Sequence, residues 1–322
     1  MRTAADMPQA EHQPVLLDAA LAALEPRESG ICVDATYGRG GHSRAILGVL
    51  GAGGRLVAID QDPDAAADAE ALAARDPRLT FVRGSFRELR AHIEALGLLG
   101  RVDALLFDLG VSSPQFDVGA RGFSFRHDGP LDMRMDPDAG APVSDWLNRA
   151  SHGEIASVIK RLGDEPFAGR IAGAIVAARA EAPVATTRRL AELVVAAVPA
   201  RVSAGKRIHP ATRTFQALRM HVNDELAALE AALEATLDVL APGGRLAVIS
   251  FHSLEDRRVK RFMRTQARPA PPPVPMAAAP DPALRLQGRA VRAGADEAAA
   301  NPRARSAIMR VAERTSAPRV SA

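Results

Sequence analysis

The stretch from Ile31 to Asp60, ICVDATYGRGGHSRAILGVLGAGGRLVAID, constrains this chain more than any other. Apolar Ile31, Cys32 and Val33 lead through Asp34 into a glycine-rich turn, Tyr37-Gly38-Arg39-Gly40-Gly41-His42, and Ser43 to Leu50 then carries a helical pattern. A second apolar run, Leu56 to Ile59, ends on Asp60, 26 positions after Asp34. Strand, tight loop, helix and strand make the opening unit of a parallel α/β sheet. The second carboxylate falls where such a sheet presents an acid to the ribose of a nucleoside. Glycines let the backbone pass close to a ligand, and the helix start offers N–H donors.

The spacing narrows the ligand. A dinucleotide loop reads G-x-G-x-x-G, whereas here Gly38, Gly40 and Gly41 follow an acidic Asp34 and the phosphate pattern is broken. Asp-x-x-x-Gly-x-Gly is similar instead to the first motif of S-adenosylmethionine (SAM) methyltransferases, whose loop holds an amino acid and a nucleoside rather than two phosphates. A nicotinamide-dependent oxidoreductase is the rival on the same fold, since fold does not determine function.

The rest of the chain extends the sheet. Pro63 to Ala74 is a helix with proline in its first turn, Leu79 to Arg83 a third strand, and Gly84-Ser85-Phe86 lies at that strand's end, where ligands gather. Phe86 has two roles open to it, stacking on an adenine and packing in the core. A fourth strand, Val102 to Asp108, runs into Leu109-Gly110-Val111-Ser112-Ser113-Pro114-Gln115, so Asp34, Asp60 and Asp108 are three acidic strand ends on one rim. From Phe116 to Gly205 the pattern is helical with no strand, after a polar loop from Arg121 to Asp136 that is functional or disordered by its length. Ser144 caps one helix, Ser151-His-Gly-Glu154 is a capping box for the next, and Trp146 is core. The expected organisation is therefore a discontinuous sheet domain, 1–115 with 206–322, and an inserted helical domain, 116–205, for substrate recognition. Apolar residues from Phe215 to Leu240 at spacings of three and four predict one long helix, followed by a fifth strand at Arg245 to Ser250. Ser306 to Glu313 is a closing strand and Ala267 to Pro282 a linker.

Charge is uneven. From Arg257 onward the chain carries 14 Lys and Arg against 4 Asp and Glu, a surplus of +10 in a protein of net charge +3, so the first 256 residues carry −7. A basic end on an acidic body points to a polyanionic partner. The single cysteine, Cys32, excludes a disulfide framework. Without a signal-like start or a membrane-length apolar run, the expectation is a soluble cytoplasmic protein with no membrane contact. No Cys/His cluster has zinc spacing, so no metal is expected.

Eight strings together carry a resemblance: His12-x-Pro-Val, Gly38-Arg-Gly-Gly-His-Ser43, Asp108-Leu-Gly-Val-Ser-Ser-Pro-Gln115, Arg121-Gly-Phe-Ser-Phe125, Asp128-Gly-Pro-Leu-Asp-Met-Arg-Met-Asp136, His209-Pro-Ala-Thr-Arg-Thr-Phe-Gln216, Ser250-Phe-His-Ser-Leu-Glu-Asp-Arg257 and Asn301-Pro-Arg-Ala-Arg-Ser306. From about residue 11 to 314 the chain resembles the bacterial ribosomal RNA small subunit methyltransferase H family (RsmH/MraW). The resemblance implies a class I SAM-methyltransferase (Rossmann-like) fold and SAM-dependent N4-methylation of a cytidine in the decoding region of 16S rRNA, with the small ribosomal subunit as partner. Its implied SAM contacts are Gly40, Gly41, His42, Asp60, Phe86, Asp108 and Gln115.

Chemistry adds the reacting groups. Cytosine N4 is a poor nucleophile because its lone pair is delocalised, and an oxygen accepting its hydrogen bond localises that pair and takes up the proton released. Asp108 and Ser113 are the acceptors in the right turn. Lys206, His209 and Arg213, with the basic helix from Arg257 to Arg264, are the expected RNA contacts. The oligomeric state is left open between monomer and homodimer.

Overall fold

The computed structural model describes residues 14–199, 209–269 and 280–319. By its internal contacts the chain divides into two compact units, Met1–Gly110 with Ala228–Ala322, and Val111–Ala227.

The first unit is a sheet between two layers of helix. In chain order it contains α1 (Leu17–Leu24), β1 (Ile31–Asp34), α2 (Gly41–Val49), β2 (Arg55–Asp60), α3 (Pro63–Ala73), β3 (Leu79–Arg83), α4 (Leu89–Ala95) and β4 (Val102–Asp108). The strands run in the order β3-β2-β1-β4, all parallel. Both faces are buried, so the strands read as continuous apolar runs rather than alternating ones. Val33, Val57, Leu105 and Phe107 enter one core with Leu89 and Ile93 of α4; Cys32, Leu56, Ala58 and Leu106 enter the other with Ile46 of α2 and Ala69 of α3.

The second unit is helical. It holds α5 (Ser113–Asp117), α6 (Val143–Arg149), α7 (His152–Gly163), α8 (Ala168–Glu181), α9 (Thr187–Ala197) and α10 (Thr212–Val222). The capping box at α7 forms, with Ser151 accepting from Glu154 N and Glu154 accepting from Ser151 N. Ser144 does not cap α6: that helix already starts at Val143, after Pro142. The polar loop before α6 is ordered. Leu131 and Met133 are buried in the helical core, and Asn223 clamps the loop by accepting from Met135 N (2.8 Å) and donating to Met133 O (2.8 Å).

The long stripe from Phe215 to Leu240 is two helices. Asp224 takes a left-handed φ of 46°, which interrupts the helix between α10 and α11 (Glu225–Val239). Phe215 and Leu218 of α10 are core residues of the helical unit, while Leu229, Leu233 and Leu237 of α11 pack on the sheet. The stretch expected to return to the sheet domain at 206 therefore stays with the helical unit through α10. A single stripe could not show this, because the break is made by backbone conformation rather than by a change of period.

The sheet is completed by β5 (Leu240–Ser250), α12 (Ser253–Ala267), β6 (Leu284–Leu286), β7 (Val291–Arg292), α13 (Ala295–Ala300) and β8 (Ile308–Arg314). β5 is parallel to β4, and β8 lies antiparallel beside β5. The Ala241–Gly244 break is absorbed inside β5 as a register shift, with Gly243 at φ 85°. Paired with β8, the short strands β6 and β7 make an antiparallel border. Among the described residues no helix is long and apolar enough to cross a membrane.

Leu105 is fully buried at the centre of this sheet, whereas Val49 is 41% exposed. Leu105→Ala is expected to cost about 2–5 kcal/mol in urea denaturation and Val49→Ala less than about 0.5 kcal/mol. Equal losses would show that the sheet is not the unit's core.

Candidate functional site

Strand register builds the site. Asp34, the last residue of β1, lies opposite Ala58 of β2 and Leu106 of β4. Asp60 and Asp108 stand two positions beyond those partners, and side chains alternate along strands, so all three carboxylates leave the same face of the sheet. β1 is shorter than both neighbours and leaves a notch between them. It is also the switch point of the parallel order, with β2 and β3 on one side and β4 and β5 on the other, which is where open α/β sheets bind ligands.

The glycine loop fills the floor of that notch. Ala35 N donates to Leu106 O (2.9 Å) and Tyr37 N to Ile59 O (3.0 Å), so the chain threads between both flanking strands. Gly38 N then donates to Asp60 Oδ2 (2.7 Å). Gly40 caps α2 at φ 66°, a conformation that favours glycine. A Cβ on Gly41 would fall on the ring of Pro14, so Pro14 packs directly on the loop.

Each carboxylate is held differently. Asp34 is buried, accepts from Ser43 Oγ (2.7 Å) and from Thr36 N (3.2 Å), and is pushed up by burial against the opposing pull of His42. Asp60 accepts from Asp62 N (2.9 Å) and Gly38 N, and burial pushes it up to about 6 despite those donors. Asp108 is likewise pushed up to about 6 by burial, with the His42 imidazole pulling the other way and Asp34 adding to the rise. Its Oδ2 lies 3.6 Å from His42 Nδ1, and its backbone N donates to Thr36 Oγ1 (2.7 Å). The Asp34 charge bears on both other aspartates, so the three strand tips converge.

Two polar atoms at this rim are buried without a partner, His42 Nε2 and Asp108 Oδ1. Buried polar atoms are normally hydrogen-bonded, so a donor and an acceptor of a polar ligand fit here. The groups converging here are carboxylates, backbone N–H groups and an imidazole, which suit hydroxyls and amines. Phe86 is half-buried with its ring edge-on to Phe107 (5.9 Å, 86°), which is core packing on the opposite face.

The structure thus gathers Gly40, Gly41, His42, Asp60 and Asp108 in the sheet unit. Gln115 and Ser113 lie in the helical unit: Gln115 is buried and accepts from Ser112 N (2.9 Å), and Ser113 opens α5. His209 and Arg213 are exposed on the same unit, and Lys206 lies outside the described residues.

Several residues at the rim escape a sequence reading. Thr36 ties β4 to the loop, and Ser43 satisfies Asp34. Glu255 accepts from Phe251 N (2.9 Å) and His252 N (3.3 Å), and its charge bears on Asp108, as does that of Arg303. The spacing His252-x-x-Glu255 is itself a readable cap, but nothing local places it near Asp108. Glu297 accepts from Leu16 N at 2.6 Å, across 281 positions, at the end of the segment that covers Gly41.

The model of the MraW methylase family matches residues 9–315. The chain belongs to that family. It is 54% identical over 311 residues to the ribosomal RNA small subunit methyltransferase H of Thioalkalivibrio sulfidiphilus, covering 95% of this chain and 98% of that protein. Among solved structures, an rRNA methylase from Streptococcus thermophilus is matched at 12% identity and a TM-score of 0.40, over 93% of each chain. Fibrillarin from Aeropyrum pernix, in complex with natively bound S-adenosyl-L-methionine, is matched at 12% identity and a TM-score of 0.39, over 92% of this chain and 73% of that one. Family membership rests on the sequence matches, and the Rossmann-like class I architecture on the strand order. As an MraW-family methylase the protein is a methyltransferase.

The Leu16–Glu297 bond makes a test of how the glycine loop is covered. A hydrogen bond to a charged acceptor contributes about 1.5–3 kcal/mol. Glu297→Ala is therefore expected to speed hydrogen exchange at Leu16 N by about 10- to 100-fold, and Glu297→Gln, which keeps an acceptor oxygen, to retain most of the protection. Unchanged exchange in the Ala variant would mean that the segment is held by its apolar contacts alone.

Proposed function

We propose that this protein transfers the methyl group of S-adenosylmethionine to N4 of a cytidine in the decoding region of 16S ribosomal RNA, with the small ribosomal subunit as its partner. The observation that carries the proposal is the convergence of Asp34, Asp60 and Asp108 around a glycine loop, with His42 Nε2 and Asp108 Oδ1 buried and unpartnered, in a chain of the MraW methylase family.

In this reading Gly40, Gly41, His42, Asp60 and Asp108 hold the cofactor from the sheet unit. Asp60 already accepts two backbone N–H groups and keeps lone pairs for ribose hydroxyls. Bound there, S-adenosylmethionine supplies an electrophilic methyl carbon on sulfonium. The protein's own task is alignment of the attacking nitrogen and exclusion of water. Asp108 Oδ1 accepts an N4 hydrogen bond, localising the nitrogen lone pair, and receives the N4 proton once the carbon–nitrogen bond has formed. Where the cofactor engages Asp108 fully, Ser113 or a backbone carbonyl accepts the N4 hydrogen bond instead, and the proton released passes to solvent. The target base leaves its stack to reach the rim, as chemistry on a base requires. Lys206, His209 and Arg213 contact the RNA. The basic stripe of α12, in which Arg257, Lys260, Arg261 and Arg264 are exposed, faces its phosphates.

Mass spectrometry of small-subunit RNA from cells with and without this protein tests the reaction directly. N4-methylcytidine in the decoding region is expected to disappear with the protein, and its persistence would overturn the proposal. For the purified enzyme, Asp108→Asn is expected to lower turnover by about 100-fold or more, measured as labelled methyl transfer from SAM to small-subunit RNA.

The carboxylates also set a pH dependence. Asp60 and Asp108 titrate near 6 in the folded protein rather than in the ordinary carboxylate range. A raised carboxylate pKa contributes stability that is fully present below the unfolded value near 4 and is lost as pH rises through about 6. The protein without ligand is thus expected to gain stability from these groups as pH falls from 7 to 4. Cofactor binding, which uses the ionised forms, runs the other way. SAM affinity measured calorimetrically is expected to fall below pH 6 by about tenfold per unit for each carboxylate that must ionise. An affinity flat from pH 7.5 to 5 would exclude both aspartates as cofactor acceptors.

A further inference from the structure

Two of the eight strings, Arg121–Phe125 and His209–Gln216, have no role in the cofactor rim. The structure brings them together inside the helical unit. The His209 imidazole stacks on the Phe125 ring at 4.5 Å between centroids and 30° between planes, and Phe125 in turn stands edge-on to Phe215 at 5.0 Å and 74°. Phe215 is in the core, Phe125 is half-buried and His209 is exposed, so three rings run in series from the interior to the surface. The outer ring is also fixed in orientation: His209 Nδ1 accepts from Ala211 N at 3.2 Å. With Nδ1 accepting, the neutral imidazole carries its proton on Nε2, at the opposite edge of the ring. Two exposed guanidinium residues, Arg126 and Arg213, follow the two stacked rings in sequence, and Arg213 is steadied by donating to Asp164 O (3.0 Å).

The turn bond to Ala211 N alone does not account for this arrangement. Aspartate, asparagine and serine make such turn bonds well, and a turn acceptor has no use for an aromatic partner beneath the ring or for a second one beneath that. A planar ring supported on one side, exposed as a residue and held against rotation is what base stacking on single-stranded RNA requires. Each stacked base contributes about 1–3 kcal/mol and needs no sequence-specific pairing.

We infer that the Phe125–His209 pair is a nucleobase-binding site, on which an unpaired base of the RNA substrate stacks, with Arg126 and Arg213 placed for its phosphates. The inference rests on the RNA-methyltransferase reading and adds to it a binding site made of Phe125 and His209, formed wholly within the helical unit.

The test uses the full-length protein, SAM and small-subunit RNA, with His209→Ala, His209→Phe and His209→Asp. The Phe variant keeps a stacking ring and loses both nitrogens. The Asp variant keeps a turn acceptor and loses the ring. If the site stacks a base, His209→Ala and His209→Asp raise the KM for RNA by about 5- to 100-fold, His209→Phe stays within about threefold of the native enzyme, and SAM affinity is unchanged in all three. Rescue by Asp with failure of Phe would make His209 a turn acceptor for Ala211 N and overturn the inference. Equal losses in Phe and Ala, or an unchanged KM in Ala, would overturn it as well. Native protein that binds SAM but leaves small-subunit RNA unmethylated would defeat the functional reading instead. The same variants are then compared by direct binding to a single-stranded RNA carrying a fluorescent base, where loss in Ala and Asp but not Phe still supports the stacking site.

Discussion

A strand that stops two residues short of its neighbours governs the chemistry of this protein. Because β1 ends at Asp34 while β2 and β4 continue to Asp60 and Asp108, the chain must turn in the gap between two parallel strands. Only a loop that donates to both of them, and that tolerates a left-handed residue at the start of α2, can make that turn. The same gap leaves three carboxylates on one face with few neighbours to share. Each would be costly to bury alone, and the loop's backbone N–H groups, Ser43, Thr36 and His42 are what make the cluster tolerable. The rim is therefore both the least comfortable part of the sheet and the part best suited to a polar ligand.

Its electrostatics follow from that crowding. Burial raises all three aspartates, and His42 opposes the rise at Asp34 and Asp108. Strongly shifted groups at a strand-end notch are the usual signature of a working site, although structural networks also produce them. Here two unpartnered buried atoms, His42 Nε2 and Asp108 Oδ1, sit together at the rim, which favours a ligand site. The helical unit makes its contribution by different means. It exposes aromatic and cationic groups at fixed positions, while its loop before α6 is locked by Asn223 and by the buried Leu131 and Met133.

Much of this was open to inspection in the amino-acid string. Strands β1 to β4 lie at or within a residue of where apolar runs bounded by turn residues put them, and the capping box of α7 follows from Ser151 and Glu154. The glycine loop was evident from residue type alone, because few residues other than glycine occupy φ near 66° at low cost. The stripe from Phe215 to Leu240 misled, since hydrophobic spacing continues through Asn223–Asp224 and only the left-handed Asp224 separates a helix of one unit from a helix of the other. Between its two readings, functional or disordered, the polar loop from Arg121 to Asp136 could not be decided from sequence, because its order comes from partners about 50 to 90 positions away, Thr187 and Asn223 among them.

By itself the sequence determined the local elements, the glycine loop and the family, since each depends on residue type and spacing within a few turns of chain. Only the tertiary structure decided that Asp34, Asp60 and Asp108 share one face, that Glu255 and Arg303 bear on Asp108, that Glu297 holds Leu16, and that Phe125 lies beneath His209. The physical reason is that strand order and register set distances between residues far apart in the chain, whereas periodicity constrains only those a few positions away.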